Sequence, residues 1–261
     1  MAACEKIKKS GKAPIYEAVS DGWHQVLWFP EIGPRIEQLN PGLAQKLNRN
    51  EIKFTDVPDA VKALEQLQAI AKAGYFEENY MTNAVADGLE ALATEKCAMM
   101  IETQNFFGSM KKNYTDVDVG NFGMFDIPIL DNKVLNINPS ANSRLIYSKS
   151  KNIEAAKKYI DYITAPENLQ NLIDNDVNTL ALPYEGLKSK YTPEIQAYFD
   201  SHKDRGIVYQ TDITYVNPQW SDMGKDIAAM FIGSIKPIDI LKNIDKRREE
   251  QAKAAKDPNW K

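Results

Sequence analysis

The chain has 261 residues, 43% of them hydrophobic and 26% charged, and its 32 basic and 36 acidic side chains leave a formal net charge of −4. That supports one large domain or two smaller ones with a proper core, and it excludes disordered, collagenous and low-complexity architectures. No run reaches the roughly 18 uninterrupted apolar residues of a membrane span, no basic-then-apolar signal peptide opens the sequence, and the near-balanced charge argues against a nucleic-acid footprint.

Ala2 to Lys9 reads as the end of a helix, with Lys8 and Lys9 favourable at a C-terminus and Gly11 where the chain must turn left-handed. No start signal precedes it, and two turns are marginal alone, so the expectation is a cut helix with more chain in front. Ala13 to Val19 reads as a strand, turned by Asp21-Gly22 into the aromatic run Trp23 to Phe29, a buried helix whose first residues face a cleft. Asp56 to Ala73 is a helix, with Pro58 in its first turn, apolar Val61, Leu64, Leu67, Ile70 and Ala71 at helical spacing, and Gly74 as the stop. Thr82 is expected to cap a helix carrying Val85, Leu89 and Leu92, and Cys97 to Ile101 is of buried-strand length.

Val117 to Ile129, broken by Gly120, Gly123 and Pro128, suits a strand that leaves its sheet, and Leu145 to Ser148 suits another short strand. Asn152 is placed as the cap of a helix with Ile153, Ala156, Tyr159, Ile160 and Ile163 on one face. Helices are then expected from Ala165-Pro166-Glu167, Pro193, Pro218 and Pro237, the last ending in the polar run Asp245 to Lys256. The result is an α/β chain with helices in excess and no internal repeat.

Motifs of familiar chemistry are missing. Cys4 and Cys97 stand in no CxxC spacing, which leaves two buried thiols or a single bridge between them. His24 and His202 sit in no metal-ligand pattern, and GxSxG, Walker A and GxGxxG are absent. No cofactor, metal site or catalytic residue is expected.

Several segments, in order, resemble one family. Glu95-Lys96-Cys97-Ala98-Met99-Met100-Ile101, followed by Glu102 to Asn105, is similar to a GKAAM strand and its Gly-x-Trp loop. Ser148 to Tyr159 resembles an SKNPEAA helix start, Thr164 to Asn168 its TSPEN continuation, Leu182-Pro183 a short segment before a helix, and Gly233 to Leu241 the opening of a last helix. These belong to the family 1 extracellular solute-binding proteins, the maltose-binding-protein-like carbohydrate receptors of ABC importers. Glu95 replaces the family's Gly, and Asn105 its loop Trp, with Phe106 and Phe107 beyond.

The resemblance covers the C-terminal two-thirds of such proteins. It implies a type II periplasmic-binding-protein-like fold, of which this chain would hold the second lobe plus the returning segment of the first. The expected segments are residues 1–131 and 186–261 for the second lobe and 132–185 for the return, with the N-terminal lobe as a missing partner.

A pyranose offers apolar C–H faces and a rim of hydroxyls, so its cleft needs aromatic rings for the faces and polar side chains for the rim. Trp23, after a strand and tight turn, and Trp220, at a helix start, take the stacking positions that the resemblance implies. Gln104, Asn105 and Phe106 leave the end of a strand, Tyr215, Asn217 and Asp222 flank Trp220, and His24 lines the pocket wall. Trp28 reads as core, Trp260 as part of a frayed tail, and Lys246 to Glu250 as a solvated helix face.

The leading expectation is therefore a non-enzymatic, extracytoplasmic receptor that closes on a sugar or oligosaccharide and presents it to membrane permease subunits. A cytosolic α/β enzyme acting on carbohydrate through a carboxylate pair is the competing class, and an interaction module made from an orphaned lobe is a third.

Overall fold

A computed structural model describes residues 1–139 and 144–260. Residues 140–143, inside the segment expected to return to the first lobe, and residue 261 lie outside the described residues. The chain divides into two compact units, Met1–Ile101 with Phe125–Pro139 and His202–Lys261, and Glu102–Met124 with Ser140–Ser201.

The first unit opens with α1 (Ala2–Lys9) and β1 (Ala13–Tyr16), followed by a buried helix in the aromatic run, of 3-10 type at His24–Trp28. Two short helices without clear start signals, α2 (Gly33–Leu39) and α3 (Leu43–Asn48), lead to α4 (Pro58–Lys72). Ala60, Ala63, Leu64 and Leu67 are the buried residues of α4, the i, i+3, i+4, i+7 stripe that drives an amphipathic helix onto a core. Thr82 does not cap a helix: its hydroxyl bonds the Asn79 carbonyl in a turn, and α5 (Gly88–Ala93) starts later, after a 3-10 turn. β2 (Cys97–Met100) pairs parallel with β1, Ala13 opposite Cys97 and Ile15 opposite Met99, the long connection supplying the crossover that parallel strands require.

In the second unit, α6 (Asn105–Asn113) stands where a loop was expected. Val117 to Ile129 forms no strand: the Asp118 carboxylate accepts the Gly120 N–H, closing a local turn that competes with strand pairing. Back in the first unit, β3 (Leu135–Ile137) pairs parallel with β4 (Arg205–Ile207) in a second small sheet. Leu145 to Ser148 is irregular, with Leu145 90% exposed.

The second unit continues through α7 (Ile153–Ile163), α8 (Pro166–Asn175) and α9 (Pro193–Ser201). Asn152 occupies the N-cap of α7 without a side-chain bond, and α7 buries none of its residues although its apolar positions share one face. Gly108 of α6 is fixed by packing, since a Cβ there would come within 1.8 Å of the Val177 carbonyl oxygen.

The first unit closes with α10 (Tyr209–Asp212), a 3-10 turn at Asn217–Gln219, α11 (Trp220–Phe231) and α12 (Pro237–Ala254). The charged run of α12 is not wholly solvated. Arg248 is fully buried because it falls four and seven residues after the core positions Ile244 and Leu241, on the same stripe. Its guanidinium donates to the Thr214 and Leu47 carbonyls at 3.1 and 2.9 Å and lies 5.4 Å from the Phe54 ring and 5.1 Å from that of Trp260. Burial pushes it down to about 10, against the pull of Asp245 and Tyr215. Trp260, expected in a frayed tail, is only 4% exposed, with Lys53 Nζ 4.1 Å from its ring. Both cysteines are free buried thiols, and Trp28 is core as expected.

Candidate functional site

Gly22 takes a left-handed φ of 75°, which turns the chain sharply after β1 and leaves Trp23 42% exposed at the turn. The Asp21 carboxylate holds the same turn from the other side by accepting the Val85 N–H at 2.6 Å. The turn rests directly on α11: a Cβ at Gly224 would come within 2.2 Å of the Gly22 carbonyl oxygen, and Gln25 donates to the Gly224 carbonyl at 3.1 Å. Trp220 begins that helix one turn earlier and is half-buried against the core. Trp23, Trp220 and the exposed Asn217 are therefore carried by two directly packed pieces of the first unit.

A brace fixes the start of α11. Buried Gln219 donates to the Tyr215 carbonyl at 2.6 Å and accepts from Arg247 Nε at 2.8 Å, while Arg247 reaches Asp226 at 2.7 Å. Two flanking candidates are occupied within the protein. The Tyr215 hydroxyl donates to Asp257 at 3.0 Å, and exposed Asp222 pairs with Lys225 at 3.0 Å, which holds its carboxyl below the usual range.

His24 does not line an open wall. It is 1% exposed, its Nδ1 lies 2.8 Å from Glu17 Oε1 and its Nε2 lies 2.9 Å from the Ile101 carbonyl oxygen, so neither ring nitrogen faces outward. Glu17, fully buried, also accepts from the Ala18 N–H and from the Trp28 indole.

In the second unit, Gln104 stands at the N-cap of α6 and Asn105 at its first position, both half-buried. Phe106 is turned into that unit's interior, edge-on to Phe107 and Phe122 at 5.5 and 5.2 Å, so its face is spent on packing. A cavity of about 380 Å³ lined by Phe107, Phe122, Met124, Glu194, Ile195 and Tyr198 lies within the same unit.

The structure adds polar residues that sequence reasoning passed over. Asn138 donates to Gln210 at 3.0 Å, and Gln210 donates to Asn217 at 3.1 Å, an amide chain just beyond the carboxyl ends of β3 and β4. Asn136 bonds Glu31, whose carboxyl burial pushes up and this bond pulls back. The alternation of Asn136 and Asn138 at the end of an apolar stretch was the available signal, since residues i and i+2 share a face of a strand. Among the described residues no group of His, Cys, Asp and Glu could hold a metal ion, and no helix is long and apolar enough to cross a membrane.

A family profile described as bacterial extracellular solute-binding protein matches residues 1–181. The chain belongs to that family. Its fold is similar to that of the binding protein MsmE of Bacillus subtilis in an open conformation, with a TM-score of 0.74 and 16% identity over 97% of this chain and 64% of that one. A sugar transporter of Bacillus licheniformis in complex with stachyose matches at 0.74 and 14% identity, over 95% of this chain and 64% of the other. The bacterial solute receptor AcbH, described as having an exclusive preference for β-D-galactopyranose, matches at 0.69 and 23% identity, over 97% of this chain and 63% of the other. At such identities the shared property is the fold, which is that of the periplasmic sugar-binding proteins. This solute-binding chain spans about 64% of the length of the solved structures it matches. No curated protein sequence matches it.

Proposed function

We propose that this chain is part of the substrate-binding component of an ABC importer, a non-enzymatic receptor outside the cytoplasm that captures a sugar or oligosaccharide and delivers it to membrane permease subunits. The observation that carries the reading is the pair Trp23 and Trp220, one exposed on a turn and one heading the helix on which that turn rests. Such rings supply flat apolar area at little conformational cost, which suits the C–H faces of a pyranose. The exposed amide of Asn217, at the end of the chain from Asn138 and Gln210, suits a hydroxyl rim. Within the second unit, Gln104 and Asn105 at the head of α6 are polar candidates by themselves.

The apolar face of α7, only half-buried within the second unit, supports the reading of that unit as part of a larger lobe. A sugar held between two lobes stabilises the closed state through contacts that exist only there, so this chain alone is expected to bind in the millimolar range. Tryptophan fluorescence titrated with galactose, stachyose, chitotriose and xylotriose tests the reading. A saturable change with one of these sugars, lost in Trp23→Ala and Trp220→Ala, is expected. A flat response of the wild type to all four overturns it.

A further inference from the structure

The buried histidine of the first unit sits at the point from which a candidate ligand segment departs. Ile101 is the last residue of the first unit before the chain passes to Glu102, and Gln104 and Asn105 follow within four residues. The Ile101 carbonyl is held by His24 Nε2 at 2.9 Å, and the ring of His24 stands edge-on to Trp23 at 5.6 Å. A backbone carbonyl oxygen accepts hydrogen bonds and cannot donate them, so Nε2 carries hydrogen to serve Ile101, while Nδ1 and the Glu17 carboxyl share the proton between them.

We infer that His24 is a positioning residue: through its two ring nitrogens it ties the Ile101 carbonyl to Glu17 and to the turn that carries Trp23, and so sets where the 102–106 segment begins. Its effect on sugar affinity rests on the receptor reading above. The tie itself does not.

Two conservative variants separate the two bonds. The amide nitrogen of Asn corresponds to Nδ1 and that of Gln to Nε2, so His24→Asn keeps the Glu17 bond and loses Ile101, whereas His24→Gln keeps Ile101 and loses Glu17. Hydrogen exchange is read at the Phe106 and Phe107 amides, which bond the Thr103 and Gln104 carbonyls just after Ile101. Exchange there accelerates about tenfold or more in His24→Asn and by a clearly smaller factor in His24→Gln. Equal rates in both variants overturn the inference. Nitrogen-15 spectra of the wild type provide a readout that needs no variant: Nε2 resonates as N–H, and an Nε2 without hydrogen overturns the inference.

With the sugar that changes wild-type fluorescence, His24→Asn weakens binding about tenfold and His24→Gln weakens it less. Unchanged affinity in His24→Asn alongside faster exchange overturns the functional consequence. Faster exchange with no sugar response in the wild type supports the tie and overturns the receptor reading.

Discussion

Gly224 of α11 lies directly beneath the carbonyl of Gly22, leaving no room for a methyl group: a Cβ at 224 would approach that oxygen to 2.2 Å. Two candidate ligand residues depend on this contact, Trp23 next to Gly22 and Trp220 one turn before Gly224. Because the obstacle is backbone and not the end of a flexible side chain, Gly224→Ala must shift the turn or the helix, at about 1–3 kcal/mol. A lowered thermal midpoint with an altered tryptophan emission maximum is the expected result. A variant that melts and emits like wild type would show that the turn and helix do not touch.

Glu17 is expected to be among the most sensitive polar positions. Its carboxylate takes the Ala18, His24 and Trp28 hydrogen bonds without access to solvent. Glu17→Gln removes one carboxyl oxygen from a fully buried site shared by three partners, a loss of about 1–3 kcal/mol in urea unfolding. The double variant Glu17→Gln/His24→Gln loses less than the sum of the singles, since the two side chains share one hydrogen bond.

Trp260 holds the C-terminal tail against α12, with the Arg248 guanidinium 5.1 Å and Lys53 Nζ 4.1 Å from its ring. Trp260→Ala should cost about 3–5 kcal/mol through lost burial. Lys53→Ala should cost about 0.5–1 kcal/mol, the range of a cation–π contact near the surface. Denaturant midpoints check both, and equal effects would contradict this division.

Cys97 carries a thiol that burial first, and Glu77 next, push up to about 11 from the ordinary 9.0, with Lys96 pulling the other way. Between those values the unfolded chain has lost a proton that the folded chain keeps, so stability is full below about pH 9 and declines as pH rises through about 11. At pH 8 a disulfide reagent should label the native protein slowly, with both cysteines reacting once denaturant is added. Rapid native labelling that disappears in Cys97→Ser would refute the buried assignment.

Helices were legible where an apolar stripe and a Pro in the first turn coincided, as at Pro58, Pro166, Pro193 and Pro237. Strands were legible only in part. Cys97 to Met100 announced itself as an apolar run, but Leu135–Ile137 and Arg205–Ile207 are three residues each and exist through pairing with one another. Leu145 to Ser148 had comparable composition and is irregular, pairing with no strand among the described residues.

The candidate site divides in the same way. From the sequence alone came the family resemblance, the helix-rich α/β class, and Trp23 and Trp220 as the rings of interest, because turn chemistry, helix starts and residue type are local properties. Tertiary structure decided what each side chain does with its polar atoms. Arg248 and His24 look like a surface charge and a pocket wall in one dimension, yet both are buried, since a buried hydrogen bond depends on partners such as Leu47 and Ile101 that lie 201 and 77 residues away. Local patterns record which residues a helix or turn will present. They do not record which distant carbonyl or carboxylate will meet them, and that pairing decides whether a polar side chain serves a ligand or the fold.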